Sequence, residues 1–122
     1  MIGYVTLGTN DLARAADFYD QLLAEVGARR LWDIGRGIAW GTADDRPTLA
    51  LMKPFDGAPA TVGNGVMVGL AVASPEQVGR VHAKALELGG RDEGAAGPRG
   101  GGFYGAYFRD LDGNKLTVFC LG

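Results

Sequence analysis

YVTLGTNDLARAADFYDQLLAEVGAR, residues 4–29, aligns without gaps with MVGLAVASPEQVGRVHAKALELGGRD, residues 67–92, at a constant offset of 63 (67 − 4). Leu7 then falls on Leu70, and both copies pass from an alternating apolar segment into a helical pattern that ends at a glycine. This internal repeat predicts one supersecondary unit that is present twice.

Length and charge limit what the two copies can form. A chain of 122 residues fits one domain of common size, so two half-size modules should share a core. The hydrophobic share of 47% and the charged share of 21% are typical of a globular protein. A formal net charge of −2 provides no basic surface, which argues against nucleic acid as a partner.

The sequence also argues against a membrane segment and against disulfide chemistry. No stretch approaches the roughly 20 apolar residues that a transmembrane helix needs, and the N-terminus lacks a basic segment followed by an apolar run. We therefore expect a cytoplasmic protein without a membrane partner. The single cysteine, Cys120, lies in an apolar run and is interpreted as a buried, inert thiol.

Periodicity and turn residues divide the chain into two βαβββ modules. Module one is predicted over about residues 1–54, a connector over 55–64, and module two over about 65–122. In module one, Asn10 is the expected helix cap. The predicted elements of this module are a strand over 2–8, a helix whose apolar face runs from 12 to 26, and strands over 29–34, 37–43 and 48–53.

Module two repeats this plan with clearer helix signals. Ser74 is predicted as the cap and Pro75 as the first helical residue. The glycine-rich stretch 94–105 is the one long irregular segment, a type of loop that is often functional or mobile. The predicted elements are a strand over 66–73, a helix to about 88, a short strand over 91–93, and strands over 103–109 and 115–121 joined by a turn at 110–114.

Alternation along the strands separates two faces. Val5 and Leu7 share one face of the first strand, as Val68, Leu70 and Val72 do in the fifth, and these apolar rows should meet the helices. The opposite rows mix small, polar and aromatic side chains, which suits a cleft better than a core. Those rows contain Tyr4 and Thr6, then Met67, Gly69 and Ala71, and finally Thr117 and Phe119.

Three motifs in this order resemble the vicinal oxygen chelate superfamily, to which glyoxalases, bleomycin-resistance proteins and extradiol dioxygenases belong. They are the opening YVTLGTNDL at 4–12, Phe18-Tyr19 in the helix, and the closing RDLDGNKL at 109–116. The resemblance covers essentially the whole chain. It implies an α+β fold in which two tandem βαβββ modules form a curved mixed sheet around a cleft, with the helices on the outside, and it implies a homodimer.

The resemblance also locates the positions at which enzymes of this superfamily hold a metal ion. They correspond here to Tyr4, Ala50, Met67 and Thr117. None is a histidine, a carboxylate or a thiolate, which zinc, iron, nickel and manganese require as protein donors. We therefore predict no metal ligands and no cofactor, which argues against metal-dependent glyoxalase or dioxygenase activity.

Side chains on the predicted cleft face supply candidate ligand contacts. Tyr4 and Thr117 could exchange hydrogen bonds with a ligand, and Met side chains adapt to varied shapes. Trp40 and Met52 could instead fill the core. His82 aligns with Tyr19 of the first helix, so it is expected to pack between helix and sheet. The predicted ligand-binding residues are Tyr4, Thr6, Trp40, Ala50, Met52, Met67, Tyr104 and Thr117.

Three functions are compatible with these residues. The first is a metal-independent protein, similar to glyoxalases and bleomycin-resistance proteins, that binds a small apolar or aromatic molecule in the cleft between the modules. The second is a metal-independent isomerase, epimerase or lyase in which a cleft tyrosine transfers a proton. The third is a degenerate domain kept for assembly with a partner.

Overall fold

The chain folds into two units, Met1–Val62 and Gly63–Gly122, in a computed structural model that describes residues 1–122. Each unit contains four strands and one helix in the order βαβββ. The first consists of β1 (Tyr4–Gly8), α1 (Leu12–Ala24), β2 (Arg29–Asp33), β3 (Gly37–Gly41) and β4 (Thr48–Met52). The second consists of β5 (Val68–Ala71), α2 (Pro75–Glu87), β6 (Arg91–Gly100), β7 (Phe103–Arg109) and β8 (Lys115–Leu121).

Both units contain a four-stranded mixed sheet with the same topology. The strand order is β1-β4-β3-β2 in the first unit and β5-β8-β7-β6 in the second. The first strand of each unit pairs in parallel with the last, and the other pairs are antiparallel. The predicted α+β fold of two βαβββ modules is therefore confirmed.

Helix α1 covers one face of the first sheet and forms a core with it. Leu22 and Leu51 are fully buried, and Trp40 is only 1% exposed. The Tyr19 ring lies 5.7 Å from the Trp40 ring, between centroids. Full burial of a leucine side chain such as Leu22 or Leu51 stabilises the fold by about 1.5–3 kcal/mol. Trp40 is thus a core residue on the helix side of the sheet.

Helix α2 packs on β6, β7 and β8 of the second unit. Ser74 caps this helix by accepting a hydrogen bond from the Gln77 amide, as predicted, and Pro75 opens it. His82 is 8% exposed, and its Nε2 lies 3.1 Å from an Asp92 carboxylate oxygen on β6. The predicted position of His82 between helix and sheet is confirmed. Neither helix has the length and apolar character required to cross a membrane.

The cap of helix α1 differs from the prediction. Asp11, not Asn10, occupies the N-cap and accepts a hydrogen bond from the Arg14 amide. The Asn10 side chain instead bonds the backbone of Ala60, donating to its carbonyl over 3.2 Å and accepting from its amide over 2.7 Å. The predicted role of Asn10 as the cap is therefore wrong, and its side chain holds the connector instead.

The glycine-rich stretch is also more regular than predicted. Strand β6 continues from Arg91 to Gly100, where the sequence predicted an irregular loop. It pairs with β7 through three register shifts, between Asp92 and Gly94, Gly94 and Gly97, and Pro98 and Gly100. Since β6 is an edge strand, it tolerates bulges and a proline that lacks an amide donor.

Asp20 connects the helix to the core of the first unit. Its carboxylate accepts 2.9 Å hydrogen bonds from Trp40 Nε1 and Arg30 Nε, and a 2.8 Å bond from Arg30 Nη2. The Arg30 hydrogen bond, aided by that from Trp40, holds the pKa of Asp20 below its ordinary value against the opposing effect of burial. The carboxylate form therefore stabilises the folded state.

Removal of this carboxylate should destabilise the protein in a pH-dependent way. Asp20→Ala leaves the buried indole N–H without its acceptor, and we expect a loss of about 1–3 kcal/mol in the free energy of unfolding near pH 7. Asp20→Asn keeps an acceptor and should cost less. Because the folded pKa is lowered, the advantage of wild type over Asp20→Asn is present above the unfolded pKa of about 4 and disappears as pH falls through the folded pKa.

Urea denaturation across pH checks this prediction. Asp45→Asn, in an exposed turn, is the matched control and should not change stability by more than about 0.5 kcal/mol. Equal losses for Asp20→Ala and Asp45→Asn at pH 7 would contradict the assigned role of Asp20.

Candidate functional site

A cavity of about 810 Å³ lies on the sheet face of the first unit opposite helix α1 and extends under the connector. Its lining is part apolar and part polar, and every lining residue belongs to this unit. The lining residues are Tyr4, Thr6, Leu7, Gly8, Trp32, Ile34, Arg36, Met52, Lys53, Pro54, Phe55, Asp56, Ala58, Pro59, Ala60 and Thr61.

Small residues on three strands share the sheet face of the cavity residues Thr6 and Met52, although Gly37, Ala39 and Ala50 are themselves buried. Strand register forms two rows across β1, β4 and β3 on this face. One row is Thr6, Ala50 and Ala39, and the next is Gly8, Met52 and Gly37. A side chain at Gly37 would collide with the Met52 sulfur, so the absence of a β-carbon at Gly37 allows Met52 to lie across the sheet. Tyr4, 64% exposed, stands at the end of this face.

A bulge in β2 directs Trp32 to the cavity. Arg30 pairs with Trp40, but the register then shifts so that Trp32 pairs with Ala39. The Arg30 guanidinium lies 5.9 Å from the centre of the Trp40 ring on the helix side, while Trp32 lines the cavity on the opposite side. Two residues that simple alternation would place on the same face are therefore separated by the bulge.

The connector closes one side of the cavity and is held by specific contacts. Besides the two Asn10–Ala60 hydrogen bonds, a β-carbon on Gly8 would lie 3.0 Å from that of Ala60, so strand β1 and the connector approach closely. Asp56 accepts a 3.0 Å hydrogen bond from the Ala58 amide, and the Gly57 amide donates to the Pro54 carbonyl. The connector, for which the sequence showed no regular pattern, is thus a fixed part of the lining.

Three of the eight predicted binding residues line this cavity: Tyr4, Thr6 and Met52. Ala50 lies on the same face by register but is fully buried and does not line the cavity. Of the two positions predicted for Trp40, the cleft face and the core, the structure shows the core, because Trp40 follows Ala39 along β3 and alternation directs it to helix α1. The tryptophan at the cavity is Trp32.

The remaining three predicted residues belong to the second unit. Met67, just before β5, is 44% exposed. The Thr117 side chain is buried, and its hydroxyl donates a 2.9 Å hydrogen bond to the Ala106 carbonyl. Tyr104 pairs with Cys120, on the sheet face that packs against helix α2. Their contact with a ligand stays a prediction.

The Thr117 face of the second sheet carries three aromatic side chains that contact one another or neighbouring cations. The Phe103 and Phe119 rings stack with centroids 5.1 Å apart. The Tyr107 ring lies between two cations, 5.4 Å from the Arg99 guanidinium and 5.6 Å from the Lys115 ammonium. Although the sequence repeats, the two sheet faces therefore carry different side chains.

The residues at the superfamily's metal positions do not fit a metal ion. Ala50 offers a methyl group, Met67 a thioether, Tyr4 a phenol, and the Thr117 hydroxyl is already bonded to a carbonyl. No three histidine, cysteine, aspartate or glutamate side chains come close enough together to form another ion site. Transition metals prefer imidazole, thiolate and carboxylate donors, so these four positions do not form such a site.

The sequence from residue 1 to 118 matches the Glyoxalase/Bleomycin resistance protein/Dioxygenase superfamily, and the chain belongs to this family. A crystal structure of a glyoxalase/bleomycin resistance protein from Albidiferax ferrireducens T118 is 33% identical, with a TM-score of 0.91 over 100% of this chain and 99% of the other. The hypothetical protein SA1046 from S. aureus is 25% identical, with a TM-score of 0.76 over 98% and 92%.

TioX from Micromonospora sp. ML1 has a TM-score of 0.71 over 100% of this chain and 99% of the other; at 17% identity it shows the shared fold alone. A comparison with functionally curated proteins found no match. The predicted membership of the vicinal oxygen chelate superfamily is confirmed.

The close fit of Met52 against Gly37 gives a direct test of the cavity floor. Gly37→Ala should force the Met52 side chain to move and should lower the free energy of unfolding by about 1–3 kcal/mol, as expected for overpacking. Thermal denaturation and the NMR shift of the Met52 methyl group measure the two effects. Gly79→Ala, where a β-carbon meets no atom within 4 Å, is the control and should leave that methyl group unchanged. An unshifted Met52 methyl in Gly37→Ala would contradict the described packing.

Proposed function

We propose that this protein binds a small, partly aromatic or apolar molecule in the cavity of its first unit. The observation that carries this proposal is the cavity of about 810 Å³ that Trp32, Met52 and Tyr4 line beside a fixed connector. Cavities of roughly 300–1,000 Å³ with apolar and aromatic walls and a few polar groups are typical of small-molecule sites. Thr6 and the Tyr4 hydroxyl can exchange hydrogen bonds with the ligand and orient it.

Binding is proposed to be independent of a metal ion, because the donor atoms at the family's metal positions are unsuitable for one. The alternative function, proton transfer by a tyrosine, has one candidate in this cavity, Tyr4, since Tyr104 does not line it. No contact of Tyr4 with a histidine or a carboxylate supports such a transfer. Binding is therefore the function that these residues support best.

A titration that follows tryptophan fluorescence tests the proposal. Aromatic compounds, both neutral and charged, should give saturable quenching of Trp32 because this side chain lines the cavity. Met52→Ala and Tyr4→Ala each remove apolar contact area and should weaken binding about tenfold. A chelator should leave the affinity of wild type unchanged.

Leu121→Ala is the matched control, because it truncates an exposed apolar side chain of the second unit. It should bind as wild type does. Absence of saturable binding across a broad panel would refute the proposal, and loss of binding on chelation would refute its metal independence.

We also propose that the protein forms a homodimer. Strands β1 and β2 are edges of the first sheet, and edge strands readily pair with a second chain. Large apolar side chains near this sheet are exposed, among them Ile2, Ile34 and Phe55. Sedimentation equilibrium should give twice the mass of the chain, and Ile2→Glu, beside edge strand β1 and outside the cavity lining, should shift the protein toward monomer. A monomeric wild type at micromolar concentration would contradict this proposal.

A further inference from the structure

Two cations, Arg36 and Lys53, face each other at the end of the first sheet. Gly37 pairs with Met52 in the antiparallel β3–β4 ladder. Just beyond this pair, the Lys53 amide donates a 2.9 Å hydrogen bond to the Arg36 carbonyl. Arg36 and Lys53 are therefore direct cross-strand neighbours. Like charges at directly opposed positions destabilise a sheet. We therefore ask whether a negative charge offsets the repulsion between Arg36 and Lys53, or whether the two cations serve a function such as binding.

No carboxylate of the protein compensates these two charges. Neither side chain forms an ion pair, whereas Arg30 pairs with Asp20 and Arg109 with Glu93. The Arg36 guanidinium donates a 2.8 Å hydrogen bond from Nη1 to the Lys53 carbonyl and lies 5.4 Å from the centre of the Phe55 ring. These contacts orient it while its other N–H donors stay free, since guanidinium has five.

The surroundings of the two cations also favour an anion. Both line the large cavity and a second cavity of about 470 Å³, to which no carboxylate contributes. The large cavity contains one carboxylate, Asp56, which accepts a hydrogen bond from the Ala58 amide and forms an ion pair with neither cation. Positive charges thus outnumber negative charges among the residues that line this cavity.

We propose that the ligand of this cavity is an organic acid with an aromatic or apolar body. Its carboxylate would bind between Arg36 and Lys53, and its body would lie against Trp32 and Met52. A planar guanidinium can hold a carboxylate through two parallel hydrogen bonds, and a lysine adds a point charge. This inference rests on the proposed function, because it names the chemical class of the ligand at the same site.

Matched acids and amides test the inference. Benzoate, cinnamate and 2-naphthoate are compared with benzamide, cinnamamide and 2-naphthamide by isothermal titration calorimetry at neutral pH. The acids should bind wild type about tenfold more tightly than their amides, as expected for hydrogen bonds between charged groups. Because the contacts are exposed to solvent, this preference should decrease as salt is raised.

Single substitutions test whether Arg36 and Lys53 cause the preference for acids over amides. Arg36→Gln and Lys53→Gln should each reduce the acid affinity several-fold and leave amide affinity unchanged. Arg46→Gln removes the same charge from a turn that does not line either cavity, and it should keep the preference of wild type. Lys53→Gln removes a repulsion and no side-chain hydrogen bond, so it should melt at or above the temperature of wild type. This variant keeps the test decisive even if Arg36→Gln folds poorly.

The outcomes separate the two proposals. Equal binding of acids and amides by wild type would overturn the inference and leave the proposed function intact. Absence of binding by both would overturn the inference together with the proposed function. An equal loss of acid affinity in Arg46→Gln and Lys53→Gln would also overturn it, since the effect would then arise from net charge.

Discussion

Burial of helix α1 against one face of the first sheet determines which face is available to a ligand. Leu22, Tyr19 and Trp40 fill the space between helix and sheet, and Asp20 satisfies the buried indole N–H while holding Arg30. Since large side chains occupy this face, the opposite face can keep small residues. The proposed site depends on this division, because Thr6, Trp32 and Met52 lie on the face that helix α1 does not cover.

Much of the fold could be predicted from the internal repeat and from strand periodicity. The order of elements, the Ser74 cap and the position of His82 followed from local patterns that the tertiary structure preserves. The errors have physical causes. Asp11 and Asn10 are both good caps, and only the contact of Asn10 with Ala60, fifty residues later, assigns their roles. Strand β6 extends beyond the prediction because an edge position tolerates Pro98 and glycine.

The candidate site was less predictable than the fold. Strict alternation predicts the cavity-facing positions of Tyr4, Thr6 and Met52. It does not predict that of Trp32, because the bulge after Arg30 changes the face to which Trp32 points. Alternation in β3 could have excluded Trp40 from the cavity face. Trp40 directly follows Ala39, so the two side chains point to opposite faces of the sheet. The contributions of Arg36, Lys53 and the connector depend on pairing between distant segments, which one sequence does not reveal. The opposed cations are visible only once the β3–β4 register is known.

The two modules share one backbone topology but differ in the side chains on the sheet face that points away from the helix. In the first sheet this face includes Thr6 and Met52, which line the cavity, whereas in the second it carries the Phe103–Phe119 stack and Tyr107. The residues at the family's metal positions offer neither an imidazole nor a carboxylate on either sheet.

NMR chemical-shift mapping with 2-naphthoate locates the bound molecule on the protein, because it reports on every backbone amide at once. We expect the largest changes at backbone amides within residues 4–8, 32–37 and 52–61, and we expect them to saturate together with one dissociation constant. Saturable changes centred on Phe103, Tyr107 and Phe119, with the first unit unaffected, would contradict the proposed site.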